Sequence, residues 1–410
     1  MTEVADLVII GGGITGVSIA FRAIHRRAGK IILLEASTLA CAGTGMSTGV
    51  VRQFYLIPEL VRMGREGIEW YSHFPDFVDG EDTGFVNSGL VVGATGAQRA
   101  LFAKGVALQA GSRSRILSVS ELREFLPTVA TADLDCAYYE PEAGYADASR
   151  ACFALAAAAR ARGVDIRQGC PATGISRDGQ GVCKVVTNAG EISTRAVVNA
   201  AGPWAAHIAS WVGVPITLKC TRHRVISIER PAAIRTEHPI FSDAVGLFYM
   251  RPDSASRVLI GSTSRAESRE EVDPDSYLRS ASLEEIADLV DRATRRIPAL
   301  NESGLISNWC GIYDESLDGF PVLGESPEVP GFHVATGLSG HGFKLAPAIS
   351  RIMVSAIVDG WIDPALHLLQ QRRFVEGHFI DSPTTTTLTS MRASESQGIP
   401  GSLHPLTLGT

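Results

Sequence analysis

The sequence lacks three things that would each have set its class. No Cys-x-x-Cys pair occurs, and the seven cysteines (Cys41, Cys136, Cys152, Cys170, Cys183, Cys220 and Cys310) are scattered and odd in number. That usage fits a reduced, cytoplasmic protein without a disulfide framework or a structural metal site. It also removes the dithiol that disulfide-reducing redox enzymes require. No uncharged apolar run is long enough to cross a membrane, so no span is expected. No block of lysine or arginine appears and the net charge is −7, which argues against nucleic acid and anionic membrane surfaces as partners. The N-terminus opens on acids (Glu3, Asp6) and runs into three glycines, so it reads as part of the fold and not as a signal peptide.

What is present begins at residue 7. Leu7-Val8-Ile9-Ile10 is a short apolar run of the kind that forms a buried parallel strand. Gly11-Gly12-Gly13-Ile14-Thr15-Gly16 follows, with glycine at the first, third and sixth positions. Ile14, Val17, Phe21 and Ile24 then recur at helical spacing, and Lys30 to Leu34 reads as a second strand ending at Glu35. In a strand–turn–helix–strand unit of this kind, Gly11 permits the tight turn, Gly13 admits a pyrophosphate to the backbone, and Gly16 lets the helix pack on the strand. The pyrophosphate sits at the positive end of the helix, beside Ile14 and Thr15, and Glu35 is placed to accept hydrogen bonds from an adenosine ribose. These features mark a dinucleotide site and leave NAD and FAD both open.

Two more segments share a small-residue character. Ala42-Gly43-Thr44-Gly45-Met46-Ser47-Thr48-Gly49-Val50-Val51-Arg52 would let backbone lie close to a flat ring system. Far along, Ala196 to Trp204 is a strand entering a small-residue turn (Ala200, Ala201, Gly202), and Gly337 to Lys344 is a glycine loop opening a helix. In this order and spacing the chain resembles the D-amino-acid oxidase superfamily of FAD enzymes over about residues 5–376. Its likeness is greatest to the sarcosine oxidase β-subunit, dimethylglycine dehydrogenase and glycine oxidase branch.

The resemblance implies FAD as cofactor and an α/β fold. A Rossmann-like FAD domain is expected from residues 1–80, 145–215 and 310–376. A largely antiparallel α+β substrate domain is expected from 81–144 and 216–309, and a mobile tail from 377–410. It adds Thr44, Gly45, Ser47, Ala172, Ala201, Gly202, Trp204, Gly340, Gly342, Phe343 and Lys344 to the cofactor-binding residues of the first motif. It places Arg52 and Lys344 on a substrate carboxylate, with His341 and Tyr249 as further active-site residues. Non-covalent FAD is the default, and a tether through Cys310 is the alternative. Leu259 is expected where some relatives carry an oxygen-activating lysine, and Asp318 is expected to fix a turn.

The implied reaction is hydride transfer from the carbon beside nitrogen in a small, secondary or N-methyl amine or amino acid to the flavin. Oxygen or an electron-carrier protein would then take the electrons. The alternative is a FAD-holding component that works only with partner subunits.

Overall fold

A computed structural model describes residues 3–78, 80–264 and 270–381. Two large sheets organise the chain. The first has six strands in the order Val322–Glu325, Phe332–Thr336, Val197–Asn199, Leu7–Ile10, Ile31–Leu34 and Asp165–Arg167. All neighbours are parallel except the first pair, which is antiparallel. Strands Leu7–Ile10 and Ile31–Leu34 are buried at every position, because helices and a second layer cover both faces of a parallel sheet. Helix Ile14–His25 packs between helices Ala148–Ala161 and Gly342–Asp359. The Asp147 carboxylate caps the Ala148 helix by accepting from Arg150 N–H at 2.9 Å.

The second sheet has eight strands, ordered Leu305–Glu315, Lys219–Glu229, Arg257–Ser262, Phe248–Ser254, Ile240–Asp243, Leu90–Ala94, Cys136–Glu140 and Arg115–Leu117. It is antiparallel apart from the pairing of Ile240–Asp243 with Leu90–Ala94. Its two faces are divided by the strand's two-residue period. Ile226, Met250, Val258, Ile260 and Val91 join a core under helix Leu283–Arg296. Val225, Tyr249, Leu90 and Val92 face a cavity against the first sheet. The fold is thus the expected α/β arrangement of a mostly parallel sheet with a largely antiparallel one.

The Asp318 side chain is buried and structural, as expected. Its carboxylate pairs with Arg373 (2.8 Å) and accepts from Phe320 N–H (3.2 Å) and Ile380 N–H (3.1 Å). Burial opposes its ionisation, and the Arg373 guanidinium outweighs burial and holds the acid below its usual range. The expected tail lies outside the described residues from 382 onward. Among the described residues no helix is long and apolar enough to cross a membrane.

Candidate active site

A single cavity of about 720 Å³ runs from the first glycine turn to the face of the eight-stranded sheet. At one end the backbone demands glycine. Gly11 has φ +116°, and a Cβ there would stand 2.4 Å from the Ala200 carbonyl oxygen. Gly16 is packed even more closely, with 2.0 Å between a Cβ and the Gly11 oxygen. Helix Ile14–His25 starts beside this turn with no cap from Gly13 and no acid in its first turn, so amides at its positive end remain for an anion. Thr44 reaches across and accepts from Ile14 N–H at 3.0 Å.

Glu35 is oriented by two backbone donors, Gly12 N–H and Ser37 N–H, each at 2.8 Å. A carboxylate has lone pairs to spare after two such bonds, so it remains able to accept from ribose hydroxyls. Ala172, Ala200, Ala201, Gly202 and Trp204 line the same channel. Trp204 Nε1 donates to Asp275 at 2.9 Å, which ties the turn to the opposite wall. A glycine turn open to a phosphate, an uncapped helix start, a presented acid and a long channel together fit FAD.

At the other end are the expected substrate residues. Arg52 is buried, with its guanidinium donating to Phe54 O and lying 4.8 Å from the centre of the Tyr55 ring. Lys344 is buried in the first turn of helix Gly342–Asp359 and donates to Gly340 O at 3.1 Å. Burial, then the Arg52 charge, push its ammonium well below the ordinary lysine range. Both side chains line the cavity, and among the described residues neither has a carboxylate partner. The Tyr249 hydroxyl lines it too and shares a 2.9 Å hydrogen bond with Thr48.

Most of the named residues therefore come together: Gly11, Gly13, Ile14, Thr15, Glu35, Thr44, Ser47, Ala172, Ala201, Gly202, Trp204, Gly340, Gly342, Phe343, Lys344, Arg52 and Tyr249 all line one cavity. Gly16 and Gly45 do not. They serve close packing, since a Cβ at Gly45 would meet the Ala40 oxygen at 2.2 Å.

Three named residues, His341, Cys310 and Leu259, lie outside the cavity lining. His341 stands behind the cavity wall, sharing a 2.8 Å hydrogen bond with the Tyr55 hydroxyl; burial, then Lys344 and Arg52, push it well below its usual value. It supports Tyr55, on which Arg52 rests. Cys310 is fully buried in the core under helix Leu283–Arg296, on the sheet face turned away from the cavity, so it does not fit a flavin tether. Leu259 is buried opposite Arg251 and Ser227, also outside the cavity.

Sequence reasoning missed other residues. His223 stacks on Tyr313 at 3.8 Å, and both line the cavity. Asp314 also lines it. Burial pushes its carboxyl up to about 6, against the pull of the Leu338 amide and the Thr336 hydroxyl (3.1 Å). A Cβ on Gly261 would fall 2.3 Å from the Tyr249 ring, so glycine there makes room for that ring. A glycine within a strand is the signal that could have exposed this close approach.

The sequence matches the family described as DAO, FAD dependent oxidoreductase, over residues 6–356. It is 28% identical over 394 residues to the mitochondrial sarcosine dehydrogenase of Homo sapiens, covering 91% of this chain but only 42% of that protein. It is 27% identical over 372 residues to glycine oxidase of Geobacillus kaustophilus, covering 88% of this chain and 94% of that protein. The L-proline dehydrogenase structure from P. horikoshii superposes with a TM-score of 0.84 at 24% identity, over 92% of this chain and all of that one, a likeness of fold. The chain belongs to the DAO family of FAD-dependent oxidoreductases.

Proposed function

We propose that this chain oxidises the carbon–nitrogen bond of a small amino acid, with a secondary or N-methylated amine as the favoured class. The observation that carries this reading is the pair Arg52 and Lys344. Two buried basic side chains line one cavity with no carboxylate partner among the described residues. Such an arrangement is costly unless an anion completes it. A substrate carboxylate supplies that anion. The Arg52 guanidinium can grip it through two parallel hydrogen bonds, and its arrival restores the charge of Lys344. Sarcosine dehydrogenase and glycine oxidase, named above, are named for amino acids that carry the same pair of groups.

Bound FAD supplies the hydride acceptor, the flavin N5. Arg52 and Lys344 would fix the carboxylate, and no side-chain base is needed where the amine binds neutral. Held along Gly11, Gly13, Glu35 and the Ala201–Trp204 turn, FAD would take as hydride the electron pair of the C–H bond beside nitrogen, while the nitrogen lone pair closes a C=N bond. Water hydrolyses the resulting imine to an amine and a carbonyl compound. Tyr249 and Thr48 close one side of the substrate space, and the His223–Tyr313 stack forms another part of the wall. Oxygen or an electron-carrier protein takes the electrons afterwards.

The test follows visible flavin absorbance in the purified protein without oxygen, while sarcosine, dimethylglycine, proline, glycine and D-amino acids are added in turn. Bleaching by a member of the panel supports the proposal, and admitting air then separates an oxidase from a dehydrogenase. The chain spans 42% of the length of the human sarcosine dehydrogenase, and a second reading is a FAD-holding component that works only with partner subunits. Flavin that stays bound yet is bleached by no panel member would point there. A chain that neither holds nor takes up FAD would refute both.

A further inference from the structure

Behind Arg52 lies a carboxyl group that the reaction above does not use. Glu140 ends strand Cys136–Glu140 and is fully buried. Its Oε1 accepts from the backbone N–H of Gln53, the residue after Arg52, at 2.7 Å. Its Oε2 lies 2.8 Å from the Tyr138 hydroxyl, which in turn lies 2.8 Å from Gln109 Oε1.

A phenol carries one proton and cannot donate in both directions. If Glu140 is protonated, its O–H donates to Tyr138 and Tyr138 donates to Gln109. If Glu140 is ionised, Tyr138 donates to the carboxylate and the Gln109 amide turns over to donate to Tyr138. The Glu140–Tyr138 link closes in either state, and turning the amide over brings Gln109 Nε2, which is buried without a partner as it stands, to the Tyr138 hydroxyl.

The groups facing Glu140 are few. Arg52 and Gln53 approach from one side. Helix Pro58–Ser72 contributes Arg65, which reaches the Gln53 amide oxygen at 3.0 Å. Gln109 stands at the end of helix Arg99–Leu108, and Ser114 Oγ lies 3.4 Å from the Tyr138 hydroxyl. Glu142, beyond the strand end, pairs with Arg113 at 3.0 Å. None of these cations pairs with Glu140 directly. Burial pushes its carboxyl up to about 7, while the Gln53 N–H, the Tyr138 hydroxyl and the Arg52 charge pull it down and Glu142 raises it.

We propose that Glu140 is the positioning residue and pH gate of the anion grip. As a neutral acid it fixes the Gln53 amide and leaves the Arg52 charge whole for a substrate carboxylate. As a carboxylate it neutralises that charge from behind. The proposal rests on the reading of Arg52 as the carboxylate-binding group.

The experiment titrates the FAD-loaded protein with acetate, an unreactive carboxylate, and follows the shift in flavin absorbance between about pH 5.5 and about pH 8.5. Lys344 weakens anion binding with rising pH in every variant, so the readout is the ratio of acetate Kd in wild type to that in Glu140→Gln. The ratio is expected near one at the acidic end and to rise about tenfold at the alkaline end, the equivalent of one pKa unit of coupling. A flat ratio overturns the proposal. Should Glu140→Gln lose its flavin, Tyr138→Phe tests the same idea. Removing the donor to the carboxylate should move the wild-type step to higher pH, and an unmoved step would overturn it. If acetate leaves the wild-type flavin unchanged at every pH, the Arg52 reading itself fails, which separates that failure from this one.

Discussion

Arg52→Ala is the perturbation that bears hardest on the proposed chemistry. In the folded chain Arg52 is 7% exposed, its guanidinium anchored on Phe54 O and resting on the Tyr55 ring. Truncating one partner of a desolvated charge pair costs about 2–5 kcal/mol, much of it from stranding the other charge. Lys344 remains to share the carboxylate, so a loss near the middle, about 3 kcal/mol, is expected; it corresponds to a roughly 150-fold rise in half-saturating substrate concentration. Arg52→Lys keeps the charge but loses the fork and should fall between the two. Anaerobic stopped-flow reduction of the flavin gives the half-saturating concentration and the limiting rate separately, and the first should change far more than the second. FAD should stay bound, because Arg52 touches neither the Gly11–Gly13 turn nor Glu35. Stability should change little as well, since among the described residues no buried carboxylate loses its partner. Arg296 is the contrast. It holds Asp243 at 2.6 Å in a buried pair, and its loss would strand that carboxylate. An Arg52→Ala protein with bound flavin and unchanged half-saturation would refute the reasoning.

Gly261→Ala places a methyl 2.3 Å from the Tyr249 ring, so the ring must leave Thr48. Half-saturation should rise several-fold in steady-state kinetics with FAD retained, and wild-type kinetics would show that Tyr249 does not border the substrate. Leu259→Lys should lower the melting temperature, because it buries an ammonium opposite Arg251, and should leave reoxidation by oxygen unchanged. Faster reoxidation would return residue 259 to the flavin. Glu140 also predicts a pH effect on stability. Its folded value of about 7 lies above the ordinary 4.5, so the folded state holds a proton that the unfolded chain releases between those values. Stability is therefore lost as pH rises through that window, by about 3 kcal/mol in all. Glu140→Gln should escape this loss and gain about 4 °C in melting temperature on wild type between pH 5 and pH 8; parallel melting curves would argue against the buried neutral acid.

The cofactor end of the site was legible because its chemistry constrains the chain locally. Gly11 must take a φ that side chains rarely adopt, and Glu35 must close the next strand, so the evidence lies within thirty residues. The paired strands around Tyr249 were legible for a similar reason, since the turn between Ser254 and Arg257 announces them. The substrate end is built differently. Arg52 rests on Tyr55, Tyr55 bonds to His341, and Gln53 bonds to Glu140, contacts that span 286 and 87 residues of chain. No local pattern records them.

The residues outside the cavity lining share a cause. Motif position tells where a residue lies along the chain, and the phase of its strand or helix tells which way its side chain points. Cys310 sits one residue before Gly311, which lines the cavity, and the strand's alternation alone sends its sulfur into the core on the other face. His341 immediately precedes Gly342 and lies three residues before Lys344. There the backbone aims Lys344 at the cavity and His341 at Tyr55. Leu259 shares a face with Tyr249 and Gly261 but stands too far along the strand to reach the cavity. Glu140 carried a readable signal all the same. An acid that continues the alternation of Tyr138 in an otherwise apolar strand must be neutral, paired or exposed. The structure leaves it buried without a cation in contact, and burial raises its carboxyl, so of those three outcomes the neutral acid is the one the site favours.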